Sequence, residues 1–126
     1  MKKLLATLLA AIGLNTACSQ GFKNADVDEF AQLIKSPSAV VLDVRTPAEY
    51  AEGHIDGALL IDWRSSDFLA KADSLLPRDK TIAIYCRSGR RSAEAAAQLA
   101  PRGYKLVNLK GGIIAWQAAG RSLTTK

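Results

Sequence analysis

Apolar and polar positions along the chain alternate between two kinds of block. Ala39-Val40-Val41-Leu42 and Thr81-Ile82-Ala83-Ile84-Tyr85 are short, almost unbroken apolar runs rich in β-branched residues. Such runs predict strands buried on both faces. Gly57–Ile61 and Leu106–Leu109 predict two further strands. Between them the spacing is helical. Asp26-Val27-Asp28-Glu29 has the form of a capping box and leads into the stripe Phe30, Leu33, Ile34, which Pro37 ends. Thr46-Pro47-Ala48-Glu49 places an N-cap, a proline at N1 and a glutamate at N3, predicting a short helix that ends near Gly53. Phe68, Leu69, Ala72, Leu75 and Leu76 predict a helix over residues 66–76, closed by Pro77. A polar loop is expected over 86–91, a helix over 92–100 with Gly103 beyond it, a turn at Gly111-Gly112 and a last helix over 113–119.

Strands alternating with helices predict an α/β domain with a mainly parallel central sheet and helices on both faces. In such sheets ligands bind beyond the carboxyl ends of the strands. Cys86 follows the strand that ends at Tyr85 and so belongs to that rim.

The first residues have a different character. Met1-Lys2-Lys3 is basic, Leu4–Leu14 carries no charge, and small or polar residues follow as far as Gln20. That order predicts a signal peptide over residues 1–17, the apolar run being shorter than the ~20 residues that span a bilayer. Leu14-Asn15-Thr16-Ala17-Cys18 is similar to a lipobox, with Asn15 where leucine is usual, which makes Cys18 the candidate lipidation site. The expected organisation is a tether over 18–25, one domain over 26–120 and a tail over 121–126. The expected location is the periplasmic side of a bacterial envelope, by a lipid anchor or as a soluble exported protein.

Composition narrows the chemistry. The chain has 126 residues, enough for one domain. Its 17 Lys and Arg against 12 Asp and Glu give +5, part of which sits in the leader as Lys2 and Lys3. Two cysteines and one histidine are too few for a structural zinc site, and no metal or other cofactor is expected. The aromatic residues avoid the arginine cluster, which argues against nucleic acid as a partner. His54 reads as a satisfied loop histidine, not as a base for Cys86. Glu49 reads as a cap partner, and Trp116 and Trp63 as packing residues.

The chemistry gathers in Cys86-Arg87-Ser88-Gly89-Arg90-Arg91-Ser92. A cysteine there meets loop amides that can form an anion nest, the N-terminus of the following helix, and three fixed positive charges. All three favour a thiolate. Gly89 lets the backbone bend inward without a Cβ in the way.

Three segments together resemble a known family. Leu42-Asp43-Val44-Arg45-Thr46-Pro47-Ala48-Glu49-Tyr50 with Gly53-His54-Ile55-Asp56-Gly57-Ala58, the cysteine loop, and Leu109-Lys110-Gly111-Gly112-Ile113-Ile114-Ala115-Trp116 are similar to the signatures of single-domain rhodaneses, the thiosulfate sulfurtransferases. The resemblance implies ping-pong sulfur transfer through a Cys86 persulfide. The partners would be a small anionic sulfur donor and a thiophilic acceptor such as cyanide or a thiol. It implies that Arg87, Ser88, Gly89, Arg90 and Arg91 surround the substrate, with Arg91 the natural end of the cradle, and that Asp43 and Arg45 brace the site. It leaves the oligomeric state open. Two alternatives stand beside it. One is a rhodanese-like module that binds or senses sulfur, although inactive members typically lack the cysteine. The other is a cysteine-dependent phosphatase or arsenate reductase, whose loop runs Cys, five residues, Arg; here Ser92 stands sixth after Cys86 and Arg91 comes one place early.

Overall fold

A computed structural model describes residues 21–126. The signal-peptide and lipidation readings, Cys18 included, lie outside the described residues. Five strands form one sheet: β1 (Lys23–Ala25), β2 (Ala39–Asp43), β3 (Leu59–Leu60), β4 (Thr81–Tyr85) and β5 (Lys105–Leu109). Their order is β1-β5-β4-β2-β3, and every pairing is parallel. The helices are α1 (Val27–Leu33), α2 (Pro47–Glu52), α3 (Phe68–Leu75), α4 (Arg90–Leu99) and α5 (Gly112–Ala118), with a 3₁₀ turn at Ala100–Arg102.

The strand side chains alternate between two cores. On β4, Ile82 and Ile84 pack with Phe68, Ala72, Ala95, Ala96 and Leu99 on the face covered by α3 and α4. Ala83 and Tyr85 point the other way, toward Phe30, Ile113 and Trp116 of α1 and α5. Burial of each large apolar side chain there stabilises the fold by about 1.5–3 kcal/mol. The expected α/β layering with helices on both faces is therefore present, and the sheet is wholly parallel.

Several boundaries differ from the sequence reading for identifiable reasons. The tether expected over 18–25 ends sooner, because Lys23–Ala25 is an edge strand in register with Val107–Leu109. Phe22 is buried beside it, and the Asn24 carboxamide oxygen accepts from Asn108 Nδ2 at 3.0 Å. Three residues of edge strand are too short for a period to show. The Asp26 box is half-formed: Asp26 accepts from the Glu29 N–H at 2.9 Å without the return bond. The Thr46–Glu49 box is complete. The segment 121–126 folds back onto the domain, where Thr124 and His54 exchange two 2.8 Å backbone bonds and Trp116 Nε1 donates to the Ser122 carbonyl. Gly103 closes the 3₁₀ turn that follows α4, with φ +93°.

Candidate active site

Cys86 follows β4, the middle strand of the sheet, and is buried at its carboxyl end. The loop after it is tighter than expected. Gly89 adopts φ +99° and serves as the N-cap, so α4 begins at Arg90 and not at Ser92. This left-handed turn returns the Gly89 N–H to the cysteine, where it donates to Cys86 Sγ at 3.1 Å. Ser92 takes no part in the cap. It lies buried in the first helical turn, and its hydroxyl donates to Cys86 Sγ at 3.3 Å. The N–H groups of Arg87, Ser88, Arg90 and Arg91 find no acceptor among the described residues. They are the unsatisfied donors of a loop and a helix start. An anion bound at Cys86 can take them, and the helix dipole favours negative charge at the same place.

The loop is clamped from three sides. The Ile113 and Ile114 N–H groups at the start of α5 donate to the Cys86 and Arg87 carbonyls at 2.9 and 3.2 Å. This approach requires Gly112, where a Cβ would sit 2.7 Å from the Cys86 carbonyl oxygen and closer still to that of Arg87. Asn108 Nδ2 donates to the Gly89 carbonyl at 3.3 Å from β5. Glu49 of α2 holds Arg91 through two parallel bonds of 2.8 and 2.9 Å. The Arg91 hydrogen bonds draw the Glu49 carboxyl down to about 2, and the same pairing raises Arg91.

Beneath the loop lies a buried polar cluster. Asp43, at the end of β2, accepts from Arg45 Nε and Nη2 and from its N–H. Tyr85, the residue before Cys86, donates to Asp43 Oδ2 at 2.7 Å and accepts from the Ile55 N–H at 3.0 Å. Arg45 Nη2 continues to the Gly53 carbonyl at 2.8 Å. Burial and the Asp43 charge push the Tyr85 hydroxyl far above its usual range, so it stays a donor. Burial opposes the Arg45 charge, but its bonds to Asp43 prevail and raise it. The network ties β2, β4 and the segment after α2 together directly under the cysteine.

The predicted site residues therefore divide. Cys86, Ser88 and Gly89 lie together in the loop. Arg87 is exposed on one side, in a cleft shared with Glu52, Ile114 and Gln117. Arg90 is exposed on the other, in a cleft with Trp63, Arg64 and Glu94, its side chain 3.8 Å from Glu94. Arg91 is neutralised by Glu49, so it anchors the loop instead of standing as a free cation. Asp43 and Arg45 lie in the hydrogen-bonded cluster beneath the loop. Glu49 is more than a cap partner, since the carboxylate that completes the box also grips Arg91. His54 belongs to the bridge with Thr124, its Nδ1 2.9 Å from the Tyr50 carbonyl oxygen and its ring stacked on Tyr50. Trp116 packs in the core as expected, and Trp63 lies at the rim with Nε1 donating to Glu94. The sequence reading gave no role to Ser92, Asn108 or Tyr85. Ser92 alone carried a signal, as the serine that closes the segment Cys86–Ser92. Among the described residues no group of His, Cys, Asp and Glu could hold a metal.

The family model described as rhodanese-like domain matches residues 26–119. A sulfurtransferase of Allochromatium vinosum is 42% identical over 95 residues, covering 71% of this chain and 81% of the relative. The thiosulfate sulfurtransferase GlpE of Ectopseudomonas mendocina is 39% identical over 98 residues, covering 76% and 86%. The crystal structure of a rhodanese-related protein from Thermoplasma volcanium superposes with a TM-score of 0.74 at 31% identity, covering 83% of this chain and 100% of that one. A rhodanese-like domain protein of Staphylococcus aureus gives 0.71 at 32%, covering 83% and 99%. Its fold, its cysteine loop and these likenesses agree: the chain belongs to the rhodanese-like domain family.

Proposed function

We propose that the protein is a sulfurtransferase that carries sulfane sulfur on Cys86. In the first half-reaction the Cys86 thiolate attacks the outer sulfur of an anionic donor such as thiosulfate. The donor S–S bond breaks, and sulfite leaves with its electron pair. A new S–S bond leaves Cys86 as a persulfide anion. In the second half-reaction a nucleophilic acceptor, cyanide or a thiolate, attacks that outer sulfur and Cys86 departs as thiolate. Atoms and charge balance over the cycle without an external oxidant or reductant.

One observation carries this reading. Cys86 Sγ sits at the start of α4 with donors from Gly89 and Ser92 and with four loop N–H groups uncommitted. That is a receptor for a sulfur anion, first as thiolate and then as persulfide. Arg87 and Arg90, exposed at the two clefts beside the loop, draw the donor anion and offset the charge on departing sulfite. The names of the relatives support the same chemistry. The test is thiocyanate formation from thiosulfate and cyanide. Turnover by the wild type and its loss in Cys86→Ser are the expected result, and equal rates in both would refute the assignment.

We further propose that residues 1–17 are a signal peptide cleaved before Cys18 and that acylated Cys18 attaches the protein to the envelope membrane. The support is the basic start, the uncharged run Leu4–Leu14 and the lipobox-like cysteine. Metabolic labelling with a fatty acid, present in the wild type and absent in Cys18→Ala, tests the anchor.

A further inference from the structure

The net positive charge of this domain is concentrated at one end. The parallel strands β2, β4 and β5 start level with one another at one end, the base, opposite the cysteine rim, while β1 starts beside Val107, two residues into β5. Lys23 and Lys105 open β1 and β5, and Lys80 precedes β4. Lys35 follows α1, which descends to the base. Arg78 Nε donates to the Arg102 carbonyl there at 2.8 Å. All six cations are exposed, and Asp73 and Asp79 are the carboxylates among them, a net of +4. The rest of residues 21–126 holds nine Lys and Arg against ten Asp and Glu, a net of −1. Between Lys23 and Lys105 the surface is apolar, with Phe22, Leu33, Leu106 and Val107 lining a shallow groove.

The chain also enters the domain at this end. Gly21 has φ +80° and is packed so tightly on Ala100, at the base end of α4, that a Cβ would come within 2.6 Å of the alanine methyl. Phe22 is buried next to it. Cys18 precedes Gly21 by three residues, about 10 Å of extended chain. Whatever holds Cys18 at a bilayer holds the cationic base about one Debye length or less from the headgroups.

We propose that the base is a membrane-facing surface that binds anionic phospholipid headgroups, so that the domain stands on the bilayer with the Cys86 rim turned outward. The proposal rests on the membrane attachment proposed above. It has a consequence for catalysis. A five-residue strand rises about 16 Å. Cys86 then stands beyond the screened reach of the lipid charge, and an anionic donor meets Arg87 and Arg90 without repulsion from the membrane.

The test is lysine footprinting of the full chain with an acylating reagent, read by mass spectrometry. The protein is reconstituted in phosphatidylglycerol vesicles, in phosphatidylcholine vesicles and in detergent. Flotation with the vesicles is read first. In phosphatidylglycerol, labelling of Lys23, Lys35, Lys80 and Lys105 is expected to fall at least about threefold relative to detergent, with Lys71, Lys110 and Lys126 unchanged. Lys80→Glu combined with Lys105→Glu is expected to float and to lose the protection of Lys23 and Lys35. Flotation with uniform labelling of the seven lysines from Lys23 to Lys126 overturns the orientation while leaving the attachment intact. Equal protection in phosphatidylcholine overturns the role of anionic headgroups. Failure to float overturns the attachment, and this proposal with it.

Discussion

Replacing Glu49 with glutamine isolates one of the three clamps on the cysteine loop. The change keeps the size of the side chain and an oxygen for the Thr46 cap. It removes the charge that meets Arg91 through two bonds of 2.8 and 2.9 Å. The Arg91 hydrogen bonds lower the Glu49 carboxyl from 4.5 to about 2. Taken alone, that shift corresponds to roughly 3 kcal/mol. The pair is partly open to water, with side chains 26% and 17% exposed, so screening reduces the figure. A bidentate, charge-assisted pair in that setting leaves about 1–2 kcal/mol. Because the folded value is depressed, the stabilisation is complete above the unfolded value and is lost as pH falls through the folded one. The gap between wild type and Glu49→Gln in urea unfolding is therefore expected in full at pH 7. It should shrink to less than half by about pH 3. A gap that stays constant from pH 7 to pH 3, or no gap at pH 7, would show that the Glu49–Arg91 charge pair does not hold the loop.

Ser92→Ala removes one of two donors to Cys86 Sγ and is expected to lower kcat/KM about threefold to tenfold, checked by steady-state sulfur transfer. An unchanged rate would remove the hydroxyl from the anion receptor. Tyr85→Phe leaves Asp43 and the Ile55 N–H each short of a buried partner and should destabilise the protein by about 2 kcal/mol in urea or thermal unfolding. Gly112→Ala drives a methyl into the Cys86 and Arg87 carbonyls and should abolish most activity while far-ultraviolet circular dichroism still reports a folded domain.

The fold was legible because its local signals agree with one another. Val40–Leu42 and Ile82–Tyr85 are apolar on both faces because helices cover both sides of the sheet, and sequence periodicity registers that directly. Cys86 was legible for a similar reason, since a cysteine between a buried strand and a glycine-containing cationic loop has few structural explanations. The less legible features all depend on distant residues. β1 is an edge strand fixed by a side-chain bond to Asn108, which lies 84 positions away. The role of Arg91 depends on Glu49, 42 positions earlier, whose capping function was plain and whose grip on Arg91 was not. Tyr85 looked like one more apolar strand residue, yet its hydroxyl reaches across the sheet to Asp43. The start of α4 at Arg90 instead of Ser92 depends on the left-handed turn at Gly89, which apolar periodicity does not register. The glycine supplies the cap, and the serine turns to the sulfur.

The central claim is that Cys86 carries sulfur as a persulfide within its loop. Intact mass spectrometry of the purified chain, after thiosulfate is added without an acceptor, tests it most directly. A gain of about 32 Da, one sulfur atom, is expected on the wild type, reversed by cyanide and absent in Cys86→Ser. A wild-type mass that does not change with thiosulfate or any other sulfane donor, or an equal gain in Cys86→Ser, would contradict it.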